Sequence, residues 1–228
     1  MQEIVPGIFA LSGLRVGRSY LVEDRDGLTL VDTSAPGVAG RILEAIAALG
    51  RRPEDLHTII ATHYHHDHTG NVAALVEATG AKLCVHAEDA PYVDGRARWM
   101  RVRGIMGALG GRFAPAQFTL RVDRELRDGD TLPAAGGLRV IHAPGHTPGH
   151  IALYAPQRRV LFAGDAFGNW FGLRRPMASS SHDMAQAERS IRMLAQLDLD
   201  HALPGHGRPI LNHAGEKLAA WARTWVRE

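Results

Sequence analysis

Residues 58–71 have the sequence TIIATHYHHDHTGN, which places four histidines and one aspartate within positions 63–68. The β-branched apolar run before them predicts a short buried strand that ends at the cluster. In the loop that follows, we expect His63 and His65 to face one point, and Asp67 and His68 to face another. Imidazoles crowded beside a carboxylate are costly to desolvate unless they bind a cation. The segment therefore predicts a metal site at the end of a strand.

Three later segments offer further ligands, each just after a predicted strand. His146 lies in APGHTPGH, Asp165 in LFAGDAF and His206 in LPGHGRP. A carboxylate at the end of an apolar strand is costly unless it is paired or coordinated. Two ions that share a water need more ligands than the first loop supplies. We therefore predict two divalent metal ions. This set of nitrogen and oxygen ligands favours zinc, and manganese, iron and cobalt are the alternatives.

Strand and helix patterns alternate along the whole chain. A hairpin is predicted over 18–32, and helices over 38–50, 69–80, 181–197 and 212–228. Both halves of the chain follow the same order of strands, aspartate, helix, strand and histidine. This pattern favours an α/β fold in which two β-sheets pack face to face with helices outside.

The order of the aspartate and the histidine is the same in both halves of the chain. Asp32 precedes His63 in the first half, and Asp165 precedes His206 in the second. We predict one domain over 1–228, with pseudo-duplicated halves of roughly 1–115 and 116–228. The spacing alone leaves open whether the halves arose by duplication.

The composition is that of an ordinary folded protein. The 228 residues are 45% hydrophobic and 22% charged, and the formal net charge is +2. These values call for neither nucleic acid nor a membrane as partner, so a small-molecule substrate is expected. The single cysteine, Cys84, excludes an internal disulfide and fits a reducing compartment. With no signal peptide or membrane span in the pattern, we expect a cytoplasmic protein.

The segment 95–113 differs in character, with five arginines, five glycines and no acidic residue. It also holds apolar side chains that look exposed in the sequence, among them Trp99 and Met100. One interpretation is a basic surface connection. The other is a mobile flap over a negatively charged substrate, or a subunit contact. A subunit contact would make the protein a homodimer.

The metal-binding segments together resemble the metallo-β-lactamase superfamily of metallohydrolases, and the resemblance extends from Asp32 in LVDTSAPG to His206. It implies a four-layer αββα sandwich with a two-metal centre at one sheet edge. The seven implied ligands are His63, His65 and His146 for the first ion, Asp67, His68 and His206 for the second, and Asp165 as the bridge. Asp32 resembles an aspartate that supports the metal loop. Asp67 is also the expected catalytic proton carrier.

The resemblance implies hydrolysis by a hydroxide held between the two ions. Clinical β-lactamases of the zinc type generally have a cysteine where Asp165 stands, so antibiotic hydrolysis is not expected as the main activity. The ligand set resembles the glyoxalase II and lactonase-like branch. However, GDAFGNWFGLRRP differs from the glyoxalase II pattern, and Gly168 stands where lactonases tend to have a tyrosine. We therefore predict cleavage of a lactone, thioester or carboxylic ester. A phosphodiesterase and a mononuclear iron oxidoreductase of the persulfide dioxygenase type are the alternatives.

The segment after Asp165 is the predicted substrate-binding region. Apolar rings next to arginines suit a substrate with an acyl portion and an anionic group. The candidate substrate-binding residues are Trp170, Phe171, Arg174, Arg175 and His182. The alternatives are that the aromatic rings pack into the core and that His182 lies on the surface of a helix.

Overall fold

The computed structural model describes residues 1–14, 16–100, 117 and 119–225. Within these residues, seven strands form one sheet in the order of the chain. They are β1 (Gln2–Val5), β2 (Ile8–Ala10), β3 (Tyr20–Asp24), β4 (Gly27–Val31), β5 (Leu56–Ile60), β6 (Lys82–His86) and β7 (Arg124–Leu126). Strands β1 to β4 are antiparallel, and β4 to β7 are parallel. The predicted hairpin over 18–32 is confirmed as β3 and β4.

A second sheet of five strands has the order β14-β11-β10-β9-β8. Its strands are β8 (Thr131–Leu132), β9 (Leu138–His142), β10 (Ile151–Ala155), β11 (Val160–Gly164) and β14 (His201–Pro204). A separate hairpin consists of β12 (Gly168–Asn169) and β13 (Leu173–Arg174). It lies in the segment that directly follows Asp165.

Six α-helices occur in the described ranges. They are α1 (Ala39–Ala48), α2 (His66–Thr69), α3 (Val72–Thr79), α4 (Ala90–Val93), α5 (Met184–Leu194) and α6 (Ala214–Arg223). The four predicted helices are confirmed as α1, α3, α5 and α6, and residues 226–228 of the last prediction lie outside the described ranges. None of these helices is both long enough and apolar enough to cross a lipid bilayer.

Three apolar clusters show how the layers pack. One lies between the two sheets and joins Tyr20, Ile60 and Cys84 of the first sheet to Phe162 and Leu203 of the second. The second cluster packs α1 and α3 against the outer face of the first sheet. The third packs α5 and α6 against the outer face of the second sheet. The four-layer αββα sandwich is therefore confirmed.

Two parallel strand pairs bring the chemical groups to one edge. Strand β4 pairs in parallel with β5, and β11 pairs in parallel with β14. Asp32 follows β4, His63 lies just past β5, Asp165 follows β11 and His206 lies just past β14. Because the carboxyl ends of parallel strands share an edge, the crevice outside that edge is where ligands bind in such sheets. The duplication of the two halves stays a prediction.

The segment 95–113 is described only in part, because residues 101–113 lie outside the described ranges. Whether it forms a flap or a subunit contact therefore stays a prediction. Trp99, which looks exposed in the sequence, is partly buried and packs against the core beneath α1 and α3. Its indole Nε1 donates a hydrogen bond of 2.7 Å to the Tyr92 carbonyl, and its ring lies alongside His66.

Candidate metal centre

The first group of predicted ligands is His63, His65 and His146. His65 Nδ1 lies 3.1 Å from His63 Nε2 and 3.0 Å from His146 Nε2. Zinc–nitrogen bonds of about 2.0–2.1 Å in a tetrahedral array place two ligand nitrogens roughly 3.3 Å apart. The three imidazoles thus already have nearly the spacing that one ion requires.

The second group is Asp67, His68 and His206. His206 Nε2 lies 3.2 Å from Asp67 Oδ2 and 3.4 Å from His68 Nε2. His68 is fully buried, whereas Asp67 and His206 are partly exposed. Asp67 and His206 therefore reach the side of the centre that is open to solvent.

Asp165 lies between the two groups. Its Oδ2 is 3.5 Å from His146 Nε2 and 3.3 Å from His206 Nε2, and its Oδ1 is 3.3 Å from His68 Nε2. Oδ1 is buried without a hydrogen-bond partner among the described residues. A buried carboxylate oxygen that accepts no hydrogen bond fits a site for a cation. A Cβ at Gly205 would lie 2.3 Å from this oxygen, so the close approach requires glycine.

Asp32 orients one histidine from each group. Its Oδ2 accepts hydrogen bonds of 2.8 Å from His68 Nδ1 and 2.8 Å from the Thr62 hydroxyl, and its Oδ1 accepts one of 2.7 Å from the Thr62 amide. The Thr62 hydroxyl oxygen in turn lies 3.1 Å from His63 Nδ1 and accepts a hydrogen bond from it. In both histidines Nδ1 is therefore the donor to a protein oxygen, and Nε2 is the nitrogen that would bind a metal ion. Asp32 adopts a left-handed φ of 58°, which aspartate tolerates better than most residues.

His146 is oriented in the same way by Ser181. The Ser181 hydroxyl donates a hydrogen bond of 2.8 Å to the Met177 carbonyl. It therefore accepts from His146 Nδ1, which lies 3.0 Å away, and the Nε2 lone pair is left for an ion. Nothing near His146 in the sequence indicates this serine, which lies 35 positions away.

His150 has a supporting role that the sequence did not predict. Its Nδ1 donates a hydrogen bond of 3.0 Å to the Ala143 carbonyl, so its Nε2 accepts one of 2.9 Å from the Asp165 amide. The close contact depends on Gly164, where a Cβ would lie 2.7 Å from His150 Nε2. The sequence signal was present, because His150 closes the same motif as His146.

Burial and charge set different protonation states in the centre. Burial lowers the pKa of His63 and His146 well below the usual range, and that of His65 to about 4. These imidazoles are therefore neutral at pH 7, as metal binding requires. Burial acts in the same direction on His206, but the Asp165 charge and its hydrogen bond outweigh it and raise the pKa to about 9. An ion bound there must displace that proton.

The predicted substrate-binding aromatic residues lie on the β12–β13 hairpin. The Trp170 ring is 48% exposed and stacks on the His206 imidazole, with centroids 5.6 Å apart and planes at 20°. Phe171 follows at the turn and is 95% exposed. The Asn169 amide donates a hydrogen bond of 3.0 Å to the His206 carbonyl, which ties the hairpin to the metal loop. The alternative that these two rings pack into the core is therefore wrong.

The two predicted arginines have different surroundings. The Arg175 guanidinium pairs with Glu188 of α5 and lies 5.6 Å from the centre of the Trp225 ring. Arg174 is exposed in β13, opposite Gly168. Arg175 therefore contacts α5 and the segment after α6, whereas Arg174 is exposed.

His182 lies beside the loop of the first group. Its amide donates a hydrogen bond of 3.1 Å to the His146 carbonyl, and its Nε2 lies 2.9 Å from the Tyr64 hydroxyl. The predicted contact with substrate stays a prediction.

A further set of possible ligands, His86, Glu88 and His142, has a less suitable geometry. The two imidazoles are stacked with planes at 17° and centroids 4.1 Å apart. Ring lone pairs lie in the ring planes, so the lone pairs of parallel stacked rings do not converge on one ion. The Pro148 carbonyl also lies 2.8 Å from His142 Nε2, and the Glu88 amide donates to His86 Nδ1.

Comparison with known proteins agrees with this geometry. A family model described as the metallo-beta-lactamase superfamily matches residues 12–206. The probable metallo-hydrolase YflN of Bacillus subtilis is 28% identical over 91% of this chain and 86% of its own length. A hydroxyacylglutathione hydrolase of Synechococcus is 33% identical over 69% of this chain, but the match spans only 52% of that enzyme.

Solved structures have the same architecture. A metallo-beta-lactamase family protein of Thermus thermophilus, TTHA1429, superimposes with a TM-score of 0.72 at 27% identity, over 97% of this chain and 81% of that one. BJP-1, a subclass B3 metallo-beta-lactamase of Bradyrhizobium japonicum, has a TM-score of 0.72 at 23% identity over 98% and 89% of the two chains, a likeness of fold alone. The chain belongs to the metallo-β-lactamase superfamily.

Proposed function

We propose that this protein is a hydrolase of ester-like bonds that works with two divalent metal ions, zinc first. The observation that carries the proposal is the position of the Asp165 carboxylate, within 3.5 Å of His146 and 3.3 Å of His206 and His68. His63, His65 and His146 would hold one ion and Asp67, His68 and His206 another, and the Asp165 carboxylate would be available to both.

Divalent ions held by these residues would supply polarisation of the oxygen under attack and a lowered pKa for water. The chain itself supplies a proton carrier in Asp67. Burial would raise the pKa of this carboxyl, but the hydrogen bond with His206 and the charge of His68 hold it well below its usual value. Asp67 is therefore ionised at neutral pH. Its position beside His206 at the open side of the centre makes it the proposed carrier of a proton from water to the leaving group.

The surface around the second group supports an ester with an apolar acyl or aryl portion. Trp170 presents a half-exposed ring against His206, and Phe171 extends it into solvent. Large exposed aromatic side chains beside a polar site are typical of ligand-binding surfaces. Because Arg175 is paired with Glu188, Arg174 is the proposed contact for an anionic substrate group.

A substrate screen tests the proposal. We expect zinc-loaded protein to hydrolyse lactones, thioesters or aryl esters faster than bis-aryl phosphates, and to contain two ions per chain. His65→Ala, which removes the nitrogen shared by both short contacts of the first group, should abolish the activity. Preference for the phosphates would favour the phosphodiesterase. One iron per chain with oxygen consumption would favour the oxygenase.

Trp170→Ala is expected to raise KM for an aryl or long-chain acyl ester about tenfold, with kcat changed less than about threefold. Loss of one apolar contact of about 1.4 kcal/mol corresponds to that factor. Met193→Ala removes another exposed apolar side chain, on α5, and should leave both constants unchanged. A KM that does not move in Trp170→Ala would exclude Trp170 from substrate binding.

A further inference from the structure

Asp89 is a fully buried carboxylate that the sequence patterns did not single out. It lies between β6 and α4 and is 0% exposed. Its Oδ2 accepts hydrogen bonds of 3.0 Å from the Tyr64 amide and 2.7 Å from the Thr147 hydroxyl, and its Oδ1 accepts one of 2.6 Å from the Gly149 amide. One side chain thus satisfies three donors that come from two different loops.

Both loops carry ligands of the first group. Tyr64 lies between His63 and His65, and Thr147 directly follows His146. The loop approaches Asp89 so closely that a Cβ at Gly149 would lie 2.4 Å from the Asp89 amide nitrogen and 2.8 Å from its Oδ1. A glycine at position 149 is therefore required for the contact.

We propose that Asp89 is a positioning residue that locks the His63–His65 loop to the His146 loop and thereby sets the affinity of this group for a divalent ion. The inference rests on the proposed two-metal centre. We expect the effect on the first group, because Tyr64 lies between two of its ligands and Thr147 directly follows the third, whereas His68 lies in α2 and His206 follows β14. Asp32, by contrast, contacts both halves through His68 and Thr62.

Two variants remove the contact to different extents. In Asp89→Asn, one oxygen becomes an NH2 group, which faces an N–H or O–H donor in either orientation. Thr147→Val keeps the shape of the side chain and removes only the bond between Thr147 and Asp89. Residues that support metal ligands through hydrogen bonds typically contribute about 10- to 100-fold to metal affinity. We expect losses near the upper end for Asp89→Asn and near the lower end for Thr147→Val.

The control is Asp123→Asn. Asp123 also accepts a backbone hydrogen bond at the edge of the first sheet, 3.0 Å from the Leu83 amide, but it contacts neither ligand loop. In a titration with Co²⁺, the affinity of the Asp123→Asn variant for the ion should stay within about twofold of the affinity of the unsubstituted protein. Thermal unfolding of each metal-free protein shows how much stability each substitution removes.

The experiment is a titration of the metal-stripped 228-residue protein with Co²⁺, monitored by the visible absorption of the bound cobalt and by calorimetry. The unsubstituted chain should bind two ions, and the Asp89 and Thr147 variants should lose affinity for one of them. Two ions bound with unchanged affinity in both variants would overturn the inference, as would an equal loss in Asp123→Asn at matched stability. Should Asp89→Asn not fold, Thr147→Val decides. No binding by the unsubstituted chain would instead overturn the proposed function.

Discussion

Asp165→Asn is expected to lower kcat/KM for the best ester substrate about a thousandfold and to reduce the metal content from two ions per chain to one. The substitution keeps the size of the side chain and removes the charge that lies within 3.5 Å of His146, His68 and His206. Metal ions contribute several kcal/mol of transition-state stabilisation, and each 1.36 kcal/mol is a factor of ten in rate. Losing one ion should therefore cost about three orders of magnitude.

Asp24→Asn is the matched control for this experiment. Asp24 likewise ends a strand of the sheets and accepts a hydrogen bond of 3.1 Å from the Ala135 amide, but it has no part in the centre. Metal content by elemental analysis and steady-state kinetics should be unchanged in this variant. If Asp165→Asn retained two ions and more than a third of the activity, Asp165 would not be the bridge.

The sequence predicted the fold and the convergence of the site because both follow from strand ends. A β-branched run before His63 and apolar strands before Asp165 and His206 were enough to place these groups at one sheet edge. Strand and helix patterns alternate in both halves of the chain, and this was enough to predict two sheets packed face to face with helices outside.

The supporting contacts were not predictable, because they join positions that no local pattern connects. Asp89 is 25 positions from Tyr64 and 60 from Gly149 along the chain. The sequence suggested Arg175 as a substrate contact, but in the structure α5 places Glu188 beside it and the two side chains form an ion pair. Such pairings depend on how the helices pack on the sheets, which the periodicity of a single segment does not contain.

Asp32→Asn is expected to destabilise the metal-free protein by about 3 kcal/mol and to weaken metal binding about 10- to 100-fold. Asparagine tolerates the left-handed φ of 58°, so the backbone should be kept. Its single oxygen cannot serve the Thr62 amide, the Thr62 hydroxyl and His68 Nδ1 together. At least one buried donor is left unsatisfied, and the His68 imidazolium loses a buried counter-charge.

The pH dependence separates this charge pair from a general loss of packing. Burial alone would lower the pKa of His68, but the carboxylates of Asp165 and Asp32 raise it well above 6.5 in the metal-free protein. A raised histidine pKa contributes stability that is fully present below about pH 6.5 and is lost as the pH rises through the folded value. Urea unfolding of the two metal-free proteins should therefore differ most near pH 6 and less at higher pH. Thr62→Val leaves the Asp32–His68 pair intact, so its loss of stability should be nearly constant over that interval. If the loss in Asp32→Asn were equally constant, His68 would be neutral without metal, and the role of Asp32 would be limited to hydrogen bonding.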